Sequence, residues 1–302
     1  MSQSSMQASL EDYRRDALRG ILFMVLAVSL FPFLNSGVKY LAEDYGTAQI
    51  VWARYAGHFL FMLVVFLPSN GRSLFATSRP GLQIVRSILL FTSTVFYFTA
   101  LAYVAIPTAA SISFTGPLMV TALAVPLLGE YVGPRRWAAV LIGFVGALII
   151  IRPGLGETHW ATTLVLGSAA SYALYQILTR KVAGHDNPST TITYAAIVGV
   201  TVASLGLPFV DLKMPANTID WLVFASLGLT GGLGHWCVVK AFQYAPVPVV
   251  SPFGYGQLIG ATILGYAIFG DFPDLWTWVG AAIIVGSGLY ITYREAVRKR
   301  GT

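Results

Sequence analysis

The chain has 302 residues, of which 56% are hydrophobic and only 11% charged, and its mean hydropathy is +0.69. A soluble domain carries about 25% charged residues, so this composition excludes a water-soluble globular fold and implies an integral membrane protein. The formal charge of +6 does not imply a nucleic-acid partner, because the basic residues lie in the loops and tails on one side of the predicted spans.

A bilayer-spanning helix needs about 20 mainly apolar residues, and ten stretches with short connections answer to that description. Residues 1–18 are polar and mixed in charge; they are expected as a cytoplasmic tail without a cleaved leader, since the first apolar run is too long for a signal peptide. That first span, 19–41, holds Pro32, which opens a backbone carbonyl in mid-span, and then Asn35. The second, 47–67, places Arg54 about 10 Å from its outer end, with His58 one turn further on the same face. In the third, 80–103, Arg86 lies about 9 Å from the inner end, while Thr94 and Tyr97 fall deeper. Span 4 covers 107–128, with Ser111, Ser113, Phe114 and Pro117, and span 5 covers 136–151, with a small-residue stripe of Ala139, Gly143 and Ala147.

The later spans run 160–180, 190–210, 218–243, 248–269 and 275–293. Span 6 brings Tyr172, Tyr175 and Gln176, which are expected on one helical face. Span 8 carries His235 and Trp236 beyond a Gly231–Gly232–Gly234 cluster, and span 9 carries Ser251, Pro252, Tyr255 and Gln257. Ala282 and Gly286 of span 10 complete a small-residue surface with the stripe of span 5, expected to pack helices within the molecule. Residues 294–302 form a basic cytoplasmic tail.

Residues 100–153 align without a gap on 241–294 at a constant offset of 141, with ten identities that include Ala100/Ala241, Tyr103/Tyr244, Gly129/Gly270 and Trp137/Trp278. Glu130 is matched by Asp271, and Thr94 by His235. The spans therefore divide into a first repeat, 19–152, and a second, 160–293. A unit that crosses the membrane an odd number of times is upside down in its second copy, which is the arrangement of alternating-access carriers. The fold expected is all-α and membrane-integral: ten transmembrane helices as two inverted five-helix repeats.

Fourteen basic residues fall in the loops and tails of one side and three, Lys39, Arg152 and Lys213, on the other. This bias places both termini in the cytoplasm of a multi-pass inner-membrane protein whose macromolecular surroundings are lipid, not nucleic acid. All thirteen acidic residues are terminal or at helix ends. Proton relays and exporters of lipophilic cations ordinarily use an intramembrane carboxylate, so the pattern favours facilitated movement of neutral or zwitterionic solutes. Arg86 and Glu130 are expected as a structural ion pair at the cytoplasmic surface, and Arg54 as a snorkelling or paired cation, with the alternative that one of the two arginines binds a substrate carboxylate. There is no nucleotide-binding loop, Cys237 is a lone cysteine, and no metal, cofactor or catalytic residue is expected; His58 beside Arg54 lacks the acid or nucleophile an enzyme would need. The candidate substrate-binding set is Asn35, Thr94, Tyr97, Tyr172, Tyr175, Gln176, His235, Trp236, Tyr255 and Gln257, gathered around one midplane cavity.

The run 102–130, AYVAIPTAASISFTGPLMVTALAVPLLGE, resembles the fourth-helix pattern of the EamA-type drug/metabolite transporter superfamily, through its Ala-Ala-Ser-Ile start, Pro117-Leu118 and the closing Leu128-Gly129-Glu130. Arg54 and the glycines of span 5 fit the same pattern, and the likeness extends over 19–293; in the second half Leu258 replaces Pro117. The resemblance implies a transporter, monomeric or homodimeric, that exports neutral amino acids, aromatic ones included, or similar small metabolites. Relatives of this kind leave two alternatives open: an organic-phosphate or nucleotide-sugar carrier, which would need its arginines in the cavity, and a proton-coupled drug exporter.

Overall fold

The computed structural model describes residues 3–129, 131–153, 159–182 and 185–300, with side chains except at 3–13, 247, 248 and 295–300. These residues form twelve α-helices: α1 Gln3–Leu41, α2 Thr47–Asn70, α3 Pro80–Leu101, α4 Ile106–Ser113, α5 Gly116–Leu128, α6 Pro134–Ile151, α7 Ala161–Val182, α8 Pro188–Gly206, α9 Thr218–Tyr244, α10 Val247–Gly254, α11 Gln257–Phe269 and α12 Leu275–Arg300. Nine helical stretches among the described residues are long and apolar enough to cross a bilayer, with α4 and α5 together making one of them. The span expected at 248–269 is the pair α10 and α11. Where they are described, the tails expected at 1–18 and 294–302 are helical, since α1 starts at Gln3 and α12 continues to Arg300.

The offset of 141 carries from sequence into structure. Moved by that number, α4 and α5 coincide with α10 and α11, and the caps that follow, Gly129 and Gly270, both turn left-handed at φ 68° and 70°. Only glycine takes that conformation without a Cβ penalty, so it closes both helices. Pro117 explains the interruption between α4 and α5, because it has no N–H to give the carbonyl four residues back. The matching interruption at Tyr255–Gly256 occurs where the equivalent residue is Leu258, so a proline at that position is not a requirement of the break.

Packing interlocks the two repeats. α1 lies along α9 and α3 along α7, so each repeat supplies the main neighbour of the other's helices; α6 runs against α12 and α2 against both α8 and α9. Without a hydrophobic force between helices in lipid, such contacts depend on small residues that let backbones approach. At the α2–α9 crossing a Cβ on Gly228 would lie 2.3 Å from Cα of Gly57. At the α6–α12 crossing a Cβ on Gly280 would lie 2.5 Å from the Gly146 carbonyl oxygen. The expected stripe on α6 is partly correct, since Gly143 packs on Leu118 and Ser287. On α12 the contact face is Gly280, Ile283 and Ser287, while Ala282 and Gly286 are exposed; the pattern of small residues marks the crossing but does not fix the helix phase.

The bundle is closed at the end opposite the chain termini. There α4 packs against α11, whereas their continuations α5 and α10 have no such packing at the termini end. Polar ties reinforce the closed end. Lys39 of α1 forms an ion pair with Asp271 after α11 and reaches the Val104 carbonyl at 3.5 Å. Arg152 pairs with Asp274 at 2.6 Å. Asp220, buried at the start of α9, accepts hydrogen bonds from Tyr45 at 2.6 Å and Tyr40 at 3.0 Å.

Two outcomes follow from this packing. Gly228→Ala should destabilise the protein by about 1–3 kcal/mol, the range for overfilling a packed contact. Gly286→Ala, where a Cβ meets nothing within 4 Å, should be neutral or stabilising by about 0.5–1 kcal/mol; thermal unfolding in one detergent compares the two. Asp271→Asn should speed far-side labelling of a thiol introduced by Asn35→Cys, in a Cys237→Ala background, by up to about fivefold, the factor that ~1 kcal/mol represents in an opening equilibrium. An unchanged rate with an impermeant maleimide would assign closure to the α4–α11 contact and the Arg152–Asp274 pair.

Candidate functional site

A cavity of about 440 Å³ lies between the repeats, from Arg136, Arg180 and Phe242 at the termini end to Leu34, Asn35, Arg54 and Tyr97 near the closed end. Its walls come from α1, α2, α3, the α4–α5 break, α7, α9, the α10–α11 break and α12. The interrupted helices place Phe114 and Tyr255 face to face across the cavity, with ring centroids 4.9 Å apart. Backbone groups freed at such breaks are available to a solute only because they line a cavity and not lipid.

Of the residues singled out from sequence, Asn35, Thr94, Tyr97, Tyr172, Gln176, His235, Tyr255 and Gln257 line this cavity. Asn35 Nδ2 donates to Tyr97 Oη at 3.3 Å, joining α1 to α3 at the closed end. Thr94 is held by the Tyr55 hydroxyl at 3.0 Å and donates to the Leu90 carbonyl at 2.9 Å, so it shapes the wall more than it offers a free donor. His235 packs edge-on to Phe31 with centroids 5.4 Å apart. The hydroxyls of Ser93 and Ser168, 2.9 Å apart, tie α3 to α7 on the same wall.

Tyr175 and Trp236 lie elsewhere. Residues 172 and 176 are separated by about 40° around a helix, but 175 sits about 60° to the other side of 172. Tyr175 accordingly turns to the interface of α3 with α7 and borders a second cavity near His185 and Asp186. Trp236 packs edge-on to Phe23 at 5.7 Å, with the Lys240 ammonium 5.9 Å from its ring.

The arginines divide differently from expectation. Arg86 is fully buried but faces no carboxylate among the described residues: Nε donates to Thr179, Nη1 to the Gln83 side chain and the Thr191 carbonyl, and Nη2 to Tyr175, all at 2.8–3.0 Å. Glu130, its expected partner, lies outside the described residues. The network continues from Gln83 to Asp186, which also accepts from Thr77 and Ser78. Partial burial pushes the Asp186 carboxyl up, but those hydrogen bonds outweigh it and hold the group down at about 2.

Arg54 belongs to the cavity instead. It is 4% exposed and lies beside the face of Tyr55 and the ring of Phe98, with its guanidinium carbon 4.5 and 5.8 Å from their centroids. Its nearest polar neighbour is His235 Nε2, 3.4 Å from Nη2, while Nε and Nη1 have no acceptor. His58, one turn along α2, stacks on His235 at 6.2 Å and makes no hydrogen bond through either ring nitrogen. A signal for this placement was present in the sequence. The Gly231–Gly232 pair of α9 gives room for Arg54 and His58, since added Cβ atoms would lie 3.6 Å from Arg54 Nε and 3.1 Å from the His58 ring. No aspartate or glutamate lines the cavity among the described residues, and the described residues contain no cluster of His, Cys, Asp and Glu suited to a metal.

Comparison with known proteins accords with a carrier. A riboflavin transporter of Vibrio cholerae is 32% identical over 94% of this chain and 96% of its own length. An S-adenosylmethionine uptake transporter of Rickettsia prowazekii is 27% identical over 95% and 96%, and a pseudopaline exporter of Pseudomonas aeruginosa 25% identical over 88% and 93%. A crystal structure superposes with a TM-score of 0.64 at 17% identity, covering 96% of this chain and 99% of that one, and so shares the fold. The model of the EamA-like transporter family matches residues 18–152 and again 159–293, the two copies of the repeat. The chain thus belongs to the EamA-like transporter family, as a multi-pass membrane protein that transports a small metabolite and is not an enzyme.

Proposed function

We propose that this protein carries a planar, uncharged heteroaromatic metabolite of the flavin type, riboflavin in the first instance, across the bacterial inner membrane and down its gradient. The observation that carries this reading is a central cavity with aromatic walls, amide side chains at Asn35, Gln176 and Gln257, and no carboxylate among its described lining residues. Its volume of about 440 Å³ falls in the roughly 300–1,000 Å³ range of pockets that enclose drug-sized ligands, which is more room than one amino acid fills. The similarity to riboflavin transporters at 32% and 30% identity supports the same cargo. A sulfonium or ammonium group, as S-adenosylmethionine and amino acids carry, would find no carboxylate among the described lining residues and would share the cavity with the Arg54 charge.

In this reading the chain crosses the membrane ten times with both termini in the cytoplasm, the side favoured by the basic loops. The cavity mouth at Arg136 and Arg180 then faces the cytoplasm, and the Lys39–Asp271 end faces outward. Rocking of the repeats would close α5 on α10 as α4 parts from α11.

Counterflow in proteoliposomes tests the proposal, with radiolabelled riboflavin, tryptophan and S-adenosylmethionine, each with and without a pH gradient. Saturable riboflavin exchange that ignores the gradient is expected. Tryptophan exchange without riboflavin exchange would restore the amino-acid reading, S-adenosylmethionine exchange would remove the argument from charge, and steep pH dependence would make His58 or His235 a proton relay.

A further inference from the structure

Arg86 shows how this fold settles a buried guanidinium: four neutral acceptors within 3.0 Å and no carboxylate among the described residues. Arg54 has the same burial and none of that support. Two of its nitrogens lack an acceptor, its one polar contact is a 3.4 Å approach to an imidazole, and the described cavity wall offers no carboxylate. An unsatisfied buried donor is destabilising, and more so when charged. The ring faces of Tyr55 and Phe98 offset part of this, but a π-face does not accept the in-plane N–H bonds of a guanidinium. Arg54 also stands where the cavity ends, below the closed α4–α11 contact. A solute entering from the mouth therefore brings its leading edge to this side chain.

We infer that Arg54 is the specificity-determining residue of the cavity, donating to a pair of adjacent, coplanar acceptor atoms on the leading edge of the cargo. Two chemistries present such a pair, the C4 carbonyl oxygen and neighbouring ring nitrogen N5 of a flavin, and the two oxygens of a carboxylate. On the flavin reading, on which this assignment builds, the edge bearing that carbonyl goes in first, the ring system lies among Tyr97, Phe114 and Tyr255, and the polyol chain trails toward Arg136 and Arg180. The planar fork of arginine fits this task where a lysine ammonium does not. A site built to donate hydrogen bonds rejects analogues without acceptors, because its own donors then stay unpaired.

The test is equilibrium binding to the full-length protein in nanodiscs, followed by quenching of ligand fluorescence for riboflavin and for lumichrome, which keeps that edge and lacks the polyol, and by competition for indole-3-acetate, an aromatic carboxylate without that edge. Arg54→Gln should weaken riboflavin and lumichrome by the same factor, roughly 10- to 100-fold, as loss of hydrogen bonds from a charged donor predicts. Arg54→Lys should lose nearly as much, and its retained charge covers the case in which the glutamine variant does not fold. If folded Arg54→Gln binds every probe like the wild type, or loses riboflavin but not lumichrome, the assignment is overturned. Wild-type protein that ignores both flavins but binds indole-3-acetate in an Arg54-dependent way would end the flavin reading and keep the assignment. Binding of none of the three probes by the wild type would end both.

Discussion

Inside the apolar layer no water is available to a polar group, so the protein must satisfy each one itself. Most of this structure is arranged around that constraint. Serine and threonine hydroxyls in the helices donate back to carbonyls a turn earlier, as at Ser87, Ser111 and Thr121. Arg86, Gln83 and Asp186 connect the starts of α3 and α8 through donors and acceptors that all find partners. Set against this, Arg54 is informative, because it lines the cavity with two unpartnered nitrogens, whereas His58, one turn along α2, is unpartnered beside that lining. Hydroxyls such as Ser36 and Thr193 are left unpaired away from the cavity, so it is an unpaired guanidinium on a cavity wall that identifies a place for a solute.

Much of the fold was legible because its causes are local. Apolar length gave the spans, and the gapless match at an offset of 141 gave the duplication, down to the paired glycine caps Gly129 and Gly270. The cavity residues were legible where they sit beside a break or at mid-span, as with Asn35, Tyr97 and Tyr255. What the sequence did not settle was helix phase and partner choice. Tyr175 and Gln176 are neighbours in sequence, yet only the glutamine faces the cavity. Small residues occur all around α12, so composition could not show that Gly280 and Ser287, not Ala282 and Gly286, meet α6. Arg54 and Arg86 looked alike as buried cations, and only the positions of Thr179, Thr191 and Tyr175, from distant parts of the chain, separate their roles.

The duplicated sequence does not produce a symmetric molecule. α4 and α11 pack together, but α5 and α10, which correspond to α11 and α4 under exchange of the repeats, make no comparable contact among the described residues. The two halves share one plan, so an arrangement with α5 on α10 would need differential contacts that outweigh those now holding α4 on α11. The Lys39–Asp271 and Arg152–Asp274 pairs are contacts of that kind. They tie the closed end beside the apolar contact of α4 with α11.

The exchange of partners between repeats has a consequence for how the chain is made. α1 leaves the ribosome first, yet the helix it lies against, α9, follows only after more than half the chain has been synthesised. Until then α1 must persist in lipid without its main neighbour, which its largely apolar surface permits. The first repeat by itself leaves the surfaces meant for α7 and α9 facing lipid, with Arg54 and Arg86 among them. Assembly is consequently a late, whole-chain event: the membrane holds the helices as separate insertions, and the site comes into being only when the last of them arrives.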